Sequence, residues 1–258
     1  MPVALINGVR IYYEDKGIGK PIVFIHHLAG SLRSWKYVLP YFLDKYRVIA
    51  YDLRGHGRSE IVPGKYRIQD HRDDLKGLLD LLNIRRPILV GHSIGSLIAI
   101  DYAIENDVEV LILIGALVSA PSKDIYERYL SIAMNFGMRA LAEYRRKNGD
   151  FTRYLTENQR VWSDFLSIYQ ENTTLGFNYT VEGLVEAPDY TDKLDIIRSP
   201  VLVIYGSEDR FITSLDAFKR KVRNLRYHVV NGYGHFLNLE APDLISKLII
   251  DFLTYLQV

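Results

Sequence analysis

The chain has 258 residues, 48% of them hydrophobic, and no cysteine. This length and apolar content suit one large domain, or a domain with an insertion, and exclude a disordered composition. With 32 basic and 31 acidic residues the net charge is +1, which removes the electrostatic case for nucleic acid or an anionic membrane as the main partner, and the lack of cysteine excludes disulfides, thiolate metal sites and thiol catalysis.

In chain order, the stretch through Ile6 lacks the basic start and long apolar core of a signal peptide, so a cytoplasmic location is expected. Asn7-Gly8 between two strand-like runs predicts a hairpin over Leu5–Tyr13. Pro21–Ile25 is solidly apolar, as a buried parallel strand should be. Trp35–Tyr46 has apolar spacing compatible with a helix, bent or divided at Pro40. A strand is expected at Arg47–Tyr51, a helix over Asp70–Ile84 on the spacing of Leu75, Leu78, Leu79 and Leu82, and strands at Ile88–Val90 and Val108–Ile114. The longest apolar run, Val110–Ala120, is too short to span a bilayer and is interrupted by Gly115 and Ser119.

From about Pro121 to Leu194 the strand rhythm stops, and the segment turns helix-like and aromatic. Alternation resumes with a strand at Pro200–Tyr205, a helix near Leu215–Val222, a strand at Arg226–Val230 and a final amphipathic helix from Pro242 to Leu256. Strands alternating with helices predict an α/β fold with a mostly parallel sheet covered on both faces. Residues 1–120 and 195–258 would form the core domain and 121–194 a helical insertion.

Ligands of an open parallel sheet bind beyond the carboxyl ends of its strands. Three of those ends carry a serine, an acid and a histidine in that order. Ser93 lies in Gly91-His92-Ser93-Ile94-Gly95 between a strand and a helix, where small flanking residues permit a sharp turn that exposes the hydroxyl. Serine needs a base to become a nucleophile, histidine supplies one near neutral pH, and a carboxylate orients the histidine. Asp209, adjacent to Glu208, and His235 are the candidates. His56, His71, His92 and His228 read as structural, and no compact set of metal ligands stands out. Gly17-Ile18-Gly19-Lys20 lacks the spacing and the Ser/Thr of a phosphate loop, and Gly55-x-Gly57 does not open a helix after the first strand, so no nucleotide cofactor is expected.

Taken together, His26-x-x-x-Gly30-Ser31, Asp52-x-Arg54-Gly55-x-Gly57-x-Ser59, Gly91-x-Ser93-x-Gly95, Gly206-x-x-Asp209 and Gly234-His235 resemble the α/β-hydrolase superfamily. Within it the chain is similar to the lid-bearing serine hydrolases that include carboxylesterases and cofactor-free haloperoxidases. The resemblance covers nearly the whole chain and weakens in the insertion. It implies an eight-stranded, mostly parallel sheet with helices on both faces and a helical lid. It also implies Ser93 as nucleophile, His235 as base and acid, Asp209 as orienting acid, and the backbone N–H groups of Leu28 and Ile94 as the oxyanion hole. The family usually has His-Gly where this chain has His26-His27, which puts the hole's shape in question; His27 is a structural or solvent-facing histidine on one reading and a candidate substrate contact on the other. Trp162, among the lid aromatics, is a further candidate substrate contact.

The expected activity is hydrolysis of small to medium hydrophobic carboxylic esters through an acyl-enzyme, with neither cofactor nor metal. Lactone opening, perhydrolysis and carbon–carbon cleavage of a diketo acid are alternatives on the same triad. The last needs a basic residue for the acid's carboxylate, from Arg33 or from the insertion. A ligand-binding receptor with a retained triad is the alternative of another class.

Overall fold

The computed structural model describes residues 2–258. Asn7 and Gly8 both adopt positive φ, the pattern of a tight hairpin turn, and join β1 (Val3–Ile6) to β2 (Val9–Lys16). Then come β3 (Lys20–Ile25), β4 (Tyr46–Tyr51), α1 (Ile68–Leu81), β5 (Ile88–His92), α2 (Ile94–Glu105) and β6 (Val110–Ile114). The insertion supplies α3 (Lys123–Lys147), α4 (Arg153–Glu157), α5 (Gln159–Gln170) and α6 (Thr174–Leu184). β7 (Val201–Gly206), α7 (Leu215–Lys221), β8 (Leu225–Val230), α8 (Leu237–Glu240) and α9 (Pro242–Tyr255) complete the chain.

The eight strands form one sheet in the order β1-β2-β4-β3-β5-β6-β7-β8. β1 and β2 pair antiparallel and every pairing from β4 to β8 is parallel. Alternate residues enter opposite cores: Val23, Ile25, Leu111 and Leu113 join the side covered by α1, α2 and the lid, while Ile22, Phe24, Ile112 and Ile114 join the side covered by α9. Burying each such side chain stabilises the fold by about 1.5–3 kcal/mol before chain entropy is counted. α2 is buried almost all round, which fixes the element that follows Ser93 more firmly than a surface helix would be.

The helix expected over Trp35–Tyr46 is absent. Two 3-10 turns, Leu32–Trp35 and Leu39–Tyr41, take its place. Ser31 caps the first turn early, and Pro40 has no N–H to continue a ladder. The apolar spacing has another use here, since Trp35, Val38 and Phe42 all point into the core. α3 is bent at Gly137, whose φ of 87° and ψ of 170° leave the helical region. Among the described residues, no helix is long and apolar enough to cross a membrane.

Candidate active site

Ser93 follows β5 and precedes α2 with φ 57° and ψ −119°, a conformation rarely seen in an L-residue. Close packing holds it there. A Cβ on Gly91 would lie 2.3 Å from the Gly95 carbonyl oxygen, and one on Gly95 would lie 2.4 Å from that of Ile25. The Ser93 N–H donates to the Ile114 carbonyl (3.1 Å). The Ser96 hydroxyl donates to the Ser93 carbonyl (2.5 Å) and accepts from the Leu117 N–H (3.0 Å), so the turn is tied to the end of β6.

His235 and Asp209, far apart in sequence, meet beside this turn. His235 Nδ1 lies 2.9 Å from Asp209 Oδ2, and Asp209 Oδ1 accepts the Phe211 N–H at 2.9 Å. Because the carboxylate faces Nδ1, that nitrogen carries the proton and Nε2 is left as the basic one. Glu208 makes no hydrogen bond to the ring: it is exposed, lines the cavity beside His235, and its backbone N–H bonds the Tyr233 carbonyl. Gly115, at φ +51°, backs the pair so closely that a Cβ there would lie 2.8 Å from His235 Nδ1 and 2.9 Å from Asp209 Oδ2. Ser93 Oγ is not yet hydrogen-bonded to the ring, a looseness common in catalytic groups without substrate.

The Leu28 and Ile94 N–H groups donate to no acceptor within the described residues, as two amides reserved for an oxyanion would. Several buried groups shape the loop before Leu28. Asp52 accepts the Leu32 N–H (2.6 Å) and the Arg58 N–H (2.8 Å), and burial pushes its carboxyl up to about 6. His26 Nε2 accepts the Leu53 N–H (3.0 Å), so Nδ1 carries the proton and donates to the His27 carbonyl (2.8 Å). Burial holds His26 neutral, well below its ordinary pKa.

His27 takes the structural place of the two readings. The left-handed residue of this loop is Ala29, at φ 57°, so His27 takes no backbone angles that demand glycine. Its ring is shut away from substrate: Nδ1 donates to the Leu28 carbonyl (2.9 Å), and Nε2 accepts from the Ser34 hydroxyl (3.2 Å). His92 and Phe236 pack against it at 5.0 Å each, and burial lowers its pKa to about 3. Trp162 also has partners within the lid, stacked on Phe165 at 5.6 Å with the Arg146 guanidinium 4.7 Å from its ring centre. Arg33 pairs with Glu171 of the lid.

The structure adds two features: the partner of His92, which the sequence placed only as structural, and a cavity beside His235. His92 donates from Nε2 to the His235 carbonyl (2.8 Å), and its ring lies 5.0 Å from that of His235. Its place beside Ser93 was the only available signal. A cavity of about 180 Å³ also opens beside His235 and Phe236, lined by Arg145 of the lid and by Arg210 together with the carboxylates Asp150, Glu208 and Glu240. Arg145 is buried against Asp150 (3.2 Å) and Tyr169, and Arg210 donates to the Tyr129 hydroxyl (3.1 Å). The remaining histidines have ordinary settings: His56 donates to the Arg54 carbonyl (3.1 Å), His71 is buried against Tyr66, and His228 is exposed on β8. Among the described residues, no group of three or more His, Asp or Glu side chains is arranged to hold a metal.

Known proteins carry the same architecture. The model of a family described as the alpha/beta hydrolase family matches residues 22–248. The chain belongs to the α/β-hydrolase family. It is 28% identical to a 2-hydroxy-6-oxononadienedioate/2-hydroxy-6-oxononatrienedioate hydrolase of Paraburkholderia phymatum, over 95% of this chain and 91% of that protein. It is 30% identical to a non-heme chloroperoxidase of Kitasatospora aureofaciens, over the whole of both. A crystal structure from work on carboxylesterases of the thaumarchaeon Nitrososphaera gargenis superposes with a TM-score of 0.92 at 30% identity, over 99% of each chain. The chain is a hydrolytic enzyme of this superfamily, and its substrate is a small organic molecule.

Proposed function

We propose that this α/β-hydrolase cleaves a bond to a carbonyl carbon through an acyl-enzyme on Ser93, in a small substrate that carries a carboxylate. The observation that carries the reading is the oriented Asp209–His235 pair beside Ser93, with the Arg145 and Arg210 cavity opening onto His235. His235 takes the Ser93 proton as Oγ attacks. The oxyanion collects against the Leu28 and Ile94 amides, and His235 then protonates the leaving atom. Water repeats the sequence and releases the acid.

The bond broken is, on this reading, carbon–carbon. A carbon leaving group departs only if its electron pair is delocalised, as it is when a 2-hydroxy-6-oxo dienoate in its keto form releases the enolate of a 2-oxo acid. That acid brings a carboxylate, and guanidiniums are the side chains best shaped to receive one. The full-length similarity to a hydrolase of such a dioate supports this choice. Ester hydrolysis is the second reading, supported by the carboxylesterase likeness and by the aromatic lid. Lactone opening and perhydrolysis use the same acyl-enzyme, with a different leaving oxygen or with peroxide replacing water, and the chloroperoxidase relative bears on the last.

The test compares turnover of 2-hydroxy-6-oxononadienedioate with that of aryl esters of graded acyl length, in wild type, Ser93→Ala and Arg210→Gln. Carbon–carbon hydrolysis predicts faster turnover of the dioate and an Arg210→Gln loss concentrated in KM. Efficient ester turnover with none of the dioate would install the second reading. Single-round binding without turnover of any of them would point to a receptor.

A further inference from the structure

His235 is fixed at three points. Asp209 holds its ring and His92 holds its carbonyl. The third point lies one peptide earlier, where the Gly234 N–H donates to Glu240 Oε2 at 2.7 Å. Glu240 ends α8, is buried at 2% exposure, and uses its other oxygen, Oε1, to accept the Thr152 hydroxyl at 2.6 Å. Two donors on two oxygens is the arrangement of an ionised carboxylate.

Thr152 belongs to the lid, where it caps α4 by accepting the Leu155 N–H at 3.2 Å. Its hydroxyl is thus committed in both directions, donating to Glu240 and accepting from the helix. Its methyl group presses on the loop that bears His235: a Cβ on Gly234 would lie 2.5 Å from Thr152 Cγ2. On the opposite side, a Cβ on Gly206 at the end of β7 would lie 2.4 Å from the Gly234 carbonyl oxygen. The Gly234 peptide is therefore clamped between the sheet and the lid, and the Glu240 carboxylate joins the two.

We propose that Glu240 is a positioning residue that couples seating of the lid to placement of His235, by holding the Thr152 hydroxyl and the Gly234 amide with one carboxylate. If the lid lifts, Thr152 leaves and the clamp on Gly234 opens on one side. The imidazole then sits correctly only when the lid is closed, so Ser93 is activated when substrate is enclosed. This coupling rests on the assignment of Ser93 and His235 as the reacting pair.

The experiment measures the acylation rate of Ser93 from the burst of p-nitrophenol released by p-nitrophenyl acetate, with steady-state kcat and KM, in full-length variants of confirmed melting temperature. Glu240→Gln keeps shape and volume but offers one oxygen instead of two, so either Gly234 or Thr152 loses its acceptor. Misplacement of a reacting group by about 1 Å costs about 100-fold, so the acylation rate of Glu240→Gln should fall by about 10- to 100-fold with KM changed less than about threefold. Thr152→Val should lose about tenfold, Thr152→Ser, which keeps the hydroxyl and gives up only the methyl contact, should lose less than about threefold, and the double variant Glu240→Gln/Thr152→Val should be no slower than Glu240→Gln, because both sever one linkage. Wild-type acylation in Glu240→Gln or Thr152→Val would overturn the inference. So would losses that multiply in the double variant, or a Thr152→Ser enzyme as slow as Thr152→Val. Ser93→Ala separates the two claims: if it still turns over, the assignment of Ser93 fails, whereas if it is inactive while the Glu240 and Thr152 variants are normal, only the coupling fails.

Discussion

The floor of the site and its roof are held by different balances of forces. The floor, from β5 through Ser93 into α2, is fixed by close backbone approach and by side chains with no exposure, such as Val90, Leu97 and Ile98. The roof meets the core by a mixture: Phe151 and Phe165 pack on Phe236 (5.6 and 4.9 Å) and Gly176 and Gly183 of α6 lie close against the Gly55 and Tyr66 carbonyls, while a rim of polar pairs adds Asp164 with Lys36 (2.5 Å) and Tyr37, Glu171 with Ser31 (3.0 Å) and Arg33, Glu186 with Lys65 (2.6 Å), and Thr152 with Glu240 (2.6 Å). Packed backbone admits one geometry. The rim's more exposed ion pairs, such as Lys65 with Glu186, contribute little each, weaken with salt and exchange readily with water, whereas the buried Thr152–Glu240 bond is shielded from it. On the proposed reading, Ser93 thus sits on the more rigid of the two parts, and the lid's polar rim is the part that yields more easily.

The largest expected effect tests the floor. Asp209→Asn reverses the hydrogen bond that sets the His235 tautomer and should lower kcat by about 10⁴-fold, whereas Glu208→Gln should stay near wild type. A rate series on the two variants decides it, and the opposite ranking would reassign the acid. Gly115→Ala comes next. Its methyl would collide with both His235 and Asp209, so activity should fall by about 100-fold, with a loss of about 1 kcal/mol from the positive φ alone. An active Gly115→Ala enzyme would mean that the pair is less tightly backed than the geometry implies.

Acid sharpens the comparison further, because the neutral histidines cluster beneath the floor. Burial lowers His27 to about 3 and His56 to about 4, and sets His26, His71 and His92 well below 6.5. The unfolded chain takes up protons on these rings near pH 6.5 and the folded chain does not. Stability should therefore be full above that pH and fall as the pH drops towards 4, with His27 and His56 each costing about 1.4 kcal/mol at pH 5.5. Asp52, raised to about 6, works in the opposite direction because the folded state protonates it first. Urea midpoints at pH 7.5 and 5.5 should show the net loss, and a flat profile would contradict it. The smallest effect concerns the roof. Asp164→Asn should cost no more than about 1 kcal/mol in stability while raising KM, with kcat within about twofold, and 0.5 M salt should mimic it. A collapse of kcat would place Asp164 in the floor's class.

The same contrast decides what was legible in the sequence. Short apolar runs and the glycines around Ser93 mark the strands, the turn and the strand ends, because period-two burial and tight turns restrict residue type. Asp209 and His235 are readable because an α/β sheet delivers strand ends to one edge. Trp35, Val38 and Phe42 mislead because two 3-10 turns bury the same spacing that a helix would. The lid gave less: its contacts join residues more than a hundred positions apart, as Ser31 with Glu171 does, and no local pattern encodes them. His27 and Trp162 drew attention as unusual residues in suggestive places, yet both are enclosed by neighbours that only folding brings near. Glu240 went unseen, and His92 was readable only as structural without its partner, because the work of each depends on the direction of a single backbone group.

The most direct test of the account is to trap the acyl-enzyme. Rapid acid quench of the enzyme during turnover of a p-nitrophenyl ester, followed by peptide mass spectrometry, should place one acyl group on Ser93, and Ser93→Ala should show neither that mass increase nor turnover. An acyl group carried on another residue, or a Ser93→Ala enzyme that retains wild-type turnover, would contradict it.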